Sequence, residues 1–408
     1  MDRILNTSIL KTNKFDNLLI VFIVLQAFGV IGGALQPIRI FVLISIPFVM
    51  MYFKRNDEII REYRYESFLF VFWIFYGMIT LLWSIMLDES IKELLYLILN
   101  FFSFFTVIYF AKNAIKPQES LIKGWILLFI ITLPIALYEF WFDIHLPIAF
   151  QDAEMTMNYE YEVFNRSFAS VTFGNLNGYN VILCYIIPFV FGYLFSEINK
   201  LKSFAIWILL LLIIYIIVMN GSRGAVLNLL LGFTVFVLYY LKGKKSIIIL
   251  TLISLFIIFI SIFYFNDLLY LIFGRFEAQG FSDEGRTELL SKSWDALLNT
   301  KMVGVGAGNF RATMESVYKL ENTAPHNLFL EVGIQYGLLI FIFFIGMFKR
   351  LYSKQKANPK NSSKFITITC LVMLPLTSTI DSSYILSISI WLFLASLYII
   401  ADENYNVN

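Results

Sequence analysis

The sequence predicts an all-α polytopic membrane protein, with about twelve transmembrane helices and one long extracytoplasmic loop that carries short amphipathic helices. Three observations lead there. The 408 residues are 59% hydrophobic and 15% charged, whereas about a quarter of a globular domain is charged. The apolar residues come in continuous runs, without the alternation of barrel strands. Only one long stretch, 266–326, turns polar before the apolar pattern resumes at Leu328. The chain therefore reads as a single membrane domain over 1–408, with 266–326 as its large loop.

Crossing the hydrocarbon core takes roughly 20 apolar residues as helix. The candidate runs are 18–35, 38–53, 68–87, 94–111, 122–142, 178–195, 203–220, 224–241, 246–265, 327–348, 364–380 and 384–400. The last two are separated only by Asp381-Ser382-Ser383. Residues 1–16 are polar and lack the apolar core of a cleavable leader, so the first run is expected to stay and direct its own insertion. Cys184 and Cys370 both fall inside apolar runs and read as small buried hydrophobes.

Charge sets the expected orientation. With the N-terminus inside, every short inner segment is basic: Lys54 to Arg64, Lys112 to Lys123, Lys200 and Lys202, Lys242 to Lys245, and Lys349 to Lys364. An even number of spans then leaves both termini cytoplasmic. The net charge of +2 comes from these short loops and gives no reason to expect nucleic acid. Arg166, Arg223, Arg286 and His326 all fall on the outer face.

The outer excursion has helical periodicity. Residues 284–298 set Leu290, Trp294 and Leu297 at helical spacing, with Ser282 or Asp283 as N-cap. Residues 309–320 do the same with Phe310, Met314 and Val317. The glycine run Gly304-Val305-Gly306-Ala307-Gly308 joins them as a tight turn that aims Asn309 and Arg311. It lacks the βαβ context of a nucleotide fingerprint. The other sizeable outer loop, 143–177, holds His145, which reads as structural.

Several polar residues have two readings. Arg223, in Asn220-Gly221-Ser222-Arg223-Gly224, either snorkels to lipid headgroups or grips an anion, for which a guanidinium fork suits phosphate. Arg286 follows Gly285 at a helix start, and is either a phosphate ligand or a surface partner of Asp283 or Glu284. His326, after Pro325 and at the lip of a span, is either a general base or an interfacial cap with Asn327. Asn175, Asn177 and Asn180 open the sixth run, as sugar or phosphate ligands or as a polar helix start. Glu331 and Gln335 lie inside a span, where ionisable groups are costly and functional by default. Glu331 reads as a partner of Arg223 or Arg286, or as a positioner of His326.

Taken together, the residues over 165–345 resemble the O-antigen ligase/polymerase family of bacterial envelope glycosyltransferases. The motifs are Arg166 with Thr172-Phe173-Gly174-Asn175-Leu176-Asn177; Ser222-Arg223-Gly224-Ala225; Gly285-Arg286 with Trp294; Gly304 to Phe310; and Pro325-His326-Asn327-Leu328-Phe329-Leu330-Glu331, followed by Gly333 and Gly337. Where relatives often have Asn-Pro-Asn, this chain has Asn175-Leu176-Asn177. The resemblance implies a bacterial inner-membrane enzyme with its site facing outward. Its donor would be a glycan on undecaprenyl pyrophosphate. Arg223 and Arg286 would hold the pyrophosphate, and His326 would deprotonate the acceptor hydroxyl, with inversion and without metal or other cofactor. Arg166, Asn175, Asn177, Arg311 and Glu331 would line the substrate site. The acceptor would be one repeat unit, which receives the growing chain, in a polymerase, or a lipid A core or other acceptor in a ligase. A flippase and a chain-length regulator would be partners within the membrane lipid. A transporter of the same lipid is the rival from another class; it predicts ionisable residues at mid-membrane and internal repeats, whereas the charges here gather at one face.

Overall fold

The computed structural model describes residues 13–150, 167–196, 199–240, 283–320, 323–358 and 360–402. The ninth expected span, 246–265, and Arg166 lie outside the described residues. Within them the chain is helical: α1 (Lys14–Val24), α2 (Pro37–Arg55), α3 (Asp57–Glu62), α4 (Arg64–Thr80), α5 (Leu87–Asn113), α6 (Pro117–Phe142), α7 (Leu176–Ser196), α8 (Lys200–Met219), α9 (Arg223–Tyr240), α10 (Asp283–Asn299), α11 (Phe310–Ser316), α12 (Leu328–Ala357), α13 (Asn361–Thr377) and α14 (Ile388–Ala401). Among the described residues seven helices are long and apolar enough to cross a membrane, namely α2, α4 to α8 and α12, with α4 extended to Trp83 and α7 counted to Leu194.

α14 runs through the middle of the bundle and is buried along nearly its whole length. α5 packs along it, α1 along α6, α2 along α5, and α13 between α7 and α9. Stacked rings fill the centre: Phe70 lies flat on Phe101 at 4.0 Å, and Trp391 meets Phe101 edge-on at 4.9 Å. Cys184 and Cys370 are both buried as free thiols, as their apolar surroundings led us to expect.

One pole of the bundle is tied by ion pairs. Glu62 takes Lys112 at 2.8 Å and Lys354 at 3.3 Å, Lys354 also reaches Asp402 at 2.8 Å, and Arg350 pairs with Glu66 at 2.9 Å. Asp16 accepts from the Lys116 backbone at 2.8 Å, and Asn13 donates to the Asn113 carbonyl at 2.6 Å. The basic inner segment after Phe348 thus begins as the last turns of α12, with Arg350 and Lys354 in ion pairs.

The opposite pole departs from the simple run pattern. The first run is continuously helical only to Phe28 and then turns at Gly29, which at φ 49° passes the 172 segment too closely for any Cβ, before a short 3-10 turn at Gly33–Leu35. Val30 donates to the Thr172 carbonyl there at 2.8 Å. α4 stops at Thr80 and α5 starts at Leu87, which puts Lys92 and Glu93 inside a helix that hydropathy alone starts at 94. α13 and α14 are joined by a ten-residue connection, 378–387, and not by three residues.

Candidate functional site

The site at this second pole begins with a broken helix. Gly337 interrupts α12 at φ 72° and ψ 179°. A Cβ there would lie 2.4 Å from the carbonyl oxygens of Met302 and Val303, so only glycine fits. The glycine run docks against the break: Val305 donates to the Ile334 carbonyl at 2.8 Å, Gly306 to Gln335 at 2.9 Å, and Leu338 to Met302 at 3.0 Å. The freed backbone groups are thereby satisfied, as an irregular segment at membrane depth requires.

Past this strap the chain turns on Asn309. Its side-chain oxygen accepts from the backbone of Ile85 at 3.0 Å and Met86 at 2.9 Å, and its amide donates to Ser90 at 2.8 Å and the Ala307 carbonyl at 2.7 Å. Asn309 is therefore a buried clamp that ends the α4–α5 connection, not a ligand group. Of the pair that the glycine turn was expected to aim, only Arg311 is exposed, in the first turn of α11.

Arg311 faces a cleft of about 160 Å³ shared by Lys92, Glu93, Pro325, Glu331 and Ser383. The Tyr336 hydroxyl donates to Glu93 Oε1 at 2.6 Å, and Glu331 Oε2 accepts from the Ile385 backbone at 3.2 Å. Glu331 thus has Glu93 and Arg311 as charged neighbours. Asp381, on the 378–387 connection, sits against the start of α7. Burial pushes its carboxyl up to about 6, opposed by hydrogen bonds from Ser382 and Asn175 and by the charge of Arg311.

The expected site residues divide into groups. Asn175 caps α7, accepting from Gly178 at 2.6 Å, and also bonds Asp381. Asn177 is half-buried on the first turn of the same helix. Arg223 opens α9, and neighbouring Gly224 packs against Ile380, which places that helix start beside the 378–387 connection. Asn220, just before it, binds both the N–H and carbonyl of Ala169 at 2.8 and 3.1 Å and donates to Asn180 at 3.0 Å, fixing the approach to α7. His326 lies in a left-handed backbone conformation, φ 38°, between Pro325 in the cleft wall and Asn327. Asn327 caps α12, accepting from Phe329 at 2.9 Å and Leu330 at 3.1 Å. Arg286 falls in the first turn of α10, with its side chain outside the described residues.

α10 and α11 form as expected, but the buried face of α10 differs. Leu289, Ser293, Ala296 and Leu297 turn inward while Leu290 and Trp294 are exposed. In α11, Phe310 and Met314 are buried and Val317 is not, because the helix ends at Ser316. His145 stacks on Phe168 with centroids 4.4 Å apart and lies 3.5 Å from Glu139, whose other oxygen takes the backbone of Ser170 and Val171. It braces the segment entering α7.

The residues the sequence did not single out are Arg39, Lys92, Glu93 and Asp381. Glu93 lies in the second turn of α5, and a carboxylate so close to a long apolar run was the available signal.

Residues 208–345, from α8 into α12, match a family model described as O-antigen ligase. Among curated proteins, the teichuronic acid biosynthesis protein TuaE of Bacillus subtilis (strain 168) is 26% identical over 348 residues, covering 80% of this chain and 69% of its own. The family-model match over 208–345 holds Arg223, Arg286, Arg311, His326 and Glu331; Asn175, Glu93 and Asp381 lie outside it.

Proposed function

From a chain of the O-antigen ligase/polymerase family, a multi-span membrane enzyme of polysaccharide biosynthesis, we propose a glycosyltransferase that acts on a lipid-linked oligosaccharide and extends it as a polymerase. The observation that carries this reading is the meeting of two halves at one pole. Arg311, Glu331 and the Pro325-His326-Asn327 turn come from the family-matched region, while Asn175, Glu93 and Asp381 come from outside it, and they gather around one connection. A site assembled this way has separate walls for a donor and an acceptor.

In the proposed reaction the donor is a glycan on undecaprenyl pyrophosphate. Arg223 and Arg286, with Arg311 nearby, hold the pyrophosphate oxygens and stabilise the charge that grows as it departs. The acceptor hydroxyl oxygen attacks the anomeric carbon. The bond from that carbon to the pyrophosphate oxygen breaks, the electron pair leaves with the lipid pyrophosphate, and the hydroxyl proton passes to His326. Attack opposite the leaving group inverts the anomeric centre. No metal enters this scheme: the cationic side chains supply the charge.

The ion-paired pole carries Lys112, Arg350 and Lys354, and by the positive-inside rule this supports the reading that this pole faces the cytoplasm and the site faces outward. A flippase must then deliver the donor to the outer leaflet. The similarity to a teichuronic acid biosynthesis protein favours an acidic polysaccharide. A second reading, ligation of a finished glycan to lipid A core or another acceptor, is favoured by the description of the family model.

The test is a strain lacking the gene. Its surface polysaccharide is sized on a gel and its lipid-linked intermediates are quantified. A single repeat unit on its final anchor means polymerase, and long chains held on undecaprenyl pyrophosphate mean ligase. No change in either pool contradicts both.

A further inference from the structure

Beside the cleft is a larger chamber that the family-matched region does not build. It encloses about 780 Å³ between the 29–36 turns, the first turns of α5 and the 173–175 approach to α7. That volume falls within the range of about 300–1,000 Å³ usual for small-molecule pockets, and is much more than a phosphate group fills. Among the described residues its lining includes Arg39, Lys92, Gln36, Asn175 and Phe173, and no carboxylate.

Arg39 is the telling residue. It is 8% exposed and makes no ion pair among the described residues. Its two terminal nitrogens reach the Gly33 carbonyl at 3.3 Å and the Leu386 carbonyl at 3.4 Å, the Tyr96 phenol is a neutral side-chain partner, and its Nε is buried without a hydrogen-bond partner among the described residues. The Tyr96 ring, 4.0 Å away, holds the guanidinium flat. A guanidinium buried this far is costly unless an anion meets it. Lys92, half-exposed and paired with Glu89 at 3.1 Å, brings a second cation that can turn to the chamber.

The chamber also communicates with the site. Lys92 lines both it and the Arg311–Glu331 cleft, and Arg39 lines both it and the 230 Å³ cavity that contains Asp381. Phe173, stacked on Tyr179 at 5.6 Å, offers an apolar surface of the kind on which sugar rings rest.

We propose that this chamber is the acceptor subsite and that it binds a sugar carrying a carboxylate, the uronic acid class, with Arg39 as the planar partner of the carboxylate and Lys92 as the second charge. The proposal rests on the glycosyltransferase reading and adds its substrate class. A guanidinium fork and a carboxylate match in shape as well as in charge. Gln36 and Asn175 supply donors and acceptors for the sugar hydroxyls.

The experiment uses the full-length protein in nanodiscs of uncharged lipid. Binding is measured by ligand-observed NMR for a disaccharide ending in glucuronic acid and for its carboxyl-reduced glucose counterpart. The acidic disaccharide is expected to bind at least about tenfold tighter, the size of one charge-assisted hydrogen bond. Arg39→Gln should erase that preference without weakening the neutral disaccharide. Lys92→Gln, at a more exposed position where folding is not at risk, should reduce it several-fold, to about a third or less by the same scale. Excess inorganic pyrophosphate and added anionic lipid should leave binding unchanged. Equal affinity for the two disaccharides, no binding of either, or an unchanged preference in Lys92→Gln and in folded Arg39→Gln overturns the proposal. So does displacement by pyrophosphate, which would give the chamber to the donor, or by anionic lipid. Transfer activity is assayed separately: a wild-type protein that binds the acidic sugar but elongates no lipid-linked glycan would defeat the glycosyltransferase reading and leave the binding result standing.

Discussion

Tyr336 and Glu93 meet at 2.6 Å, hydroxyl to carboxylate, across 243 residues of sequence. Tyr336 is the last residue before the break in α12, and Glu93 sits near the start of α5. The contact joins the family-matched region to the first half of the chain at the point where both reach the cleft. Replacing Tyr336 with Phe keeps the ring and leaves the buried Glu93 short of a donor. We expect a loss of about 1–3 kcal/mol in stability, the cost of an unmet buried polar group, read as a lowered midpoint of thermal unfolding in detergent.

Gly337→Ala tests the strap more severely. The new methyl would meet the carbonyls of Met302 and Val303 at 2.4 Å, on a backbone at φ 72°. Backbone strain alone costs of order 1–3 kcal/mol, and the clash adds to it. The expected outcome is loss of folded protein on size-exclusion chromatography, whereas Gly333→Ala, whose Cβ would make only ordinary contact with Phe341 at 3.6 Å, should be tolerated.

Asp381 predicts a pH dependence. Its carboxyl is raised from 3.8 to about 6 in the fold, chiefly by burial. Between those values the folded protein keeps a proton that the unfolded chain has released. Fewer protons on the unfolded state mean that stability falls as pH rises from about 4 to about 6, then levels off. Asp381→Asn should flatten that slope. Thermal unfolding at a series of pH values distinguishes the two, and parallel curves would show that Asp381 does not carry the dependence.

Arg311 is an exposed cation whose charge acts on both Glu331 and Asp381. Arg311→Gln should leave folding intact, since the side chain is exposed on α11, and should lower transfer by about 10²–10³ if it meets charge that develops in the transition state. Single-turnover release of the lipid pyrophosphate is the measurement; an effect confined to KM would make Arg311 a binding residue only.

Much of this architecture was legible from hydropathy, because apolar runs of membrane length must be helical to satisfy their backbone. α10 and α11 were legible from periodicity, and the polar stretch ending at His326 led to the pole where the Arg311–Glu331 cleft lies. What hydropathy could not register was the price that close approach sets at Gly29 and Gly337. Those glycines are dictated by distant segments, 172 and 302–303, so the end of the first helix and the break in α12 are tertiary events. The face of α10 was misread because Leu290 and Trp294 are large and apolar, yet the smaller Ser293 and Ala296 are the ones that allow close packing. Arg39, Glu93 and Asp381 escaped notice for a related reason. Each is a single charge at the edge of an apolar run, and only the fold shows that three such edges face one another.

The most direct test of the central claim is transfer by the purified protein, supplied with a defined lipid-linked repeat unit and assayed for released undecaprenyl pyrophosphate and for longer glycans. The account predicts elongation by the wild type, no release from Arg223→Ala, and retained donor binding without turnover in His326→Ala. Full activity in both variants, or a wild-type protein that binds the lipid-linked glycan and never breaks its bond to pyrophosphate, would contradict it.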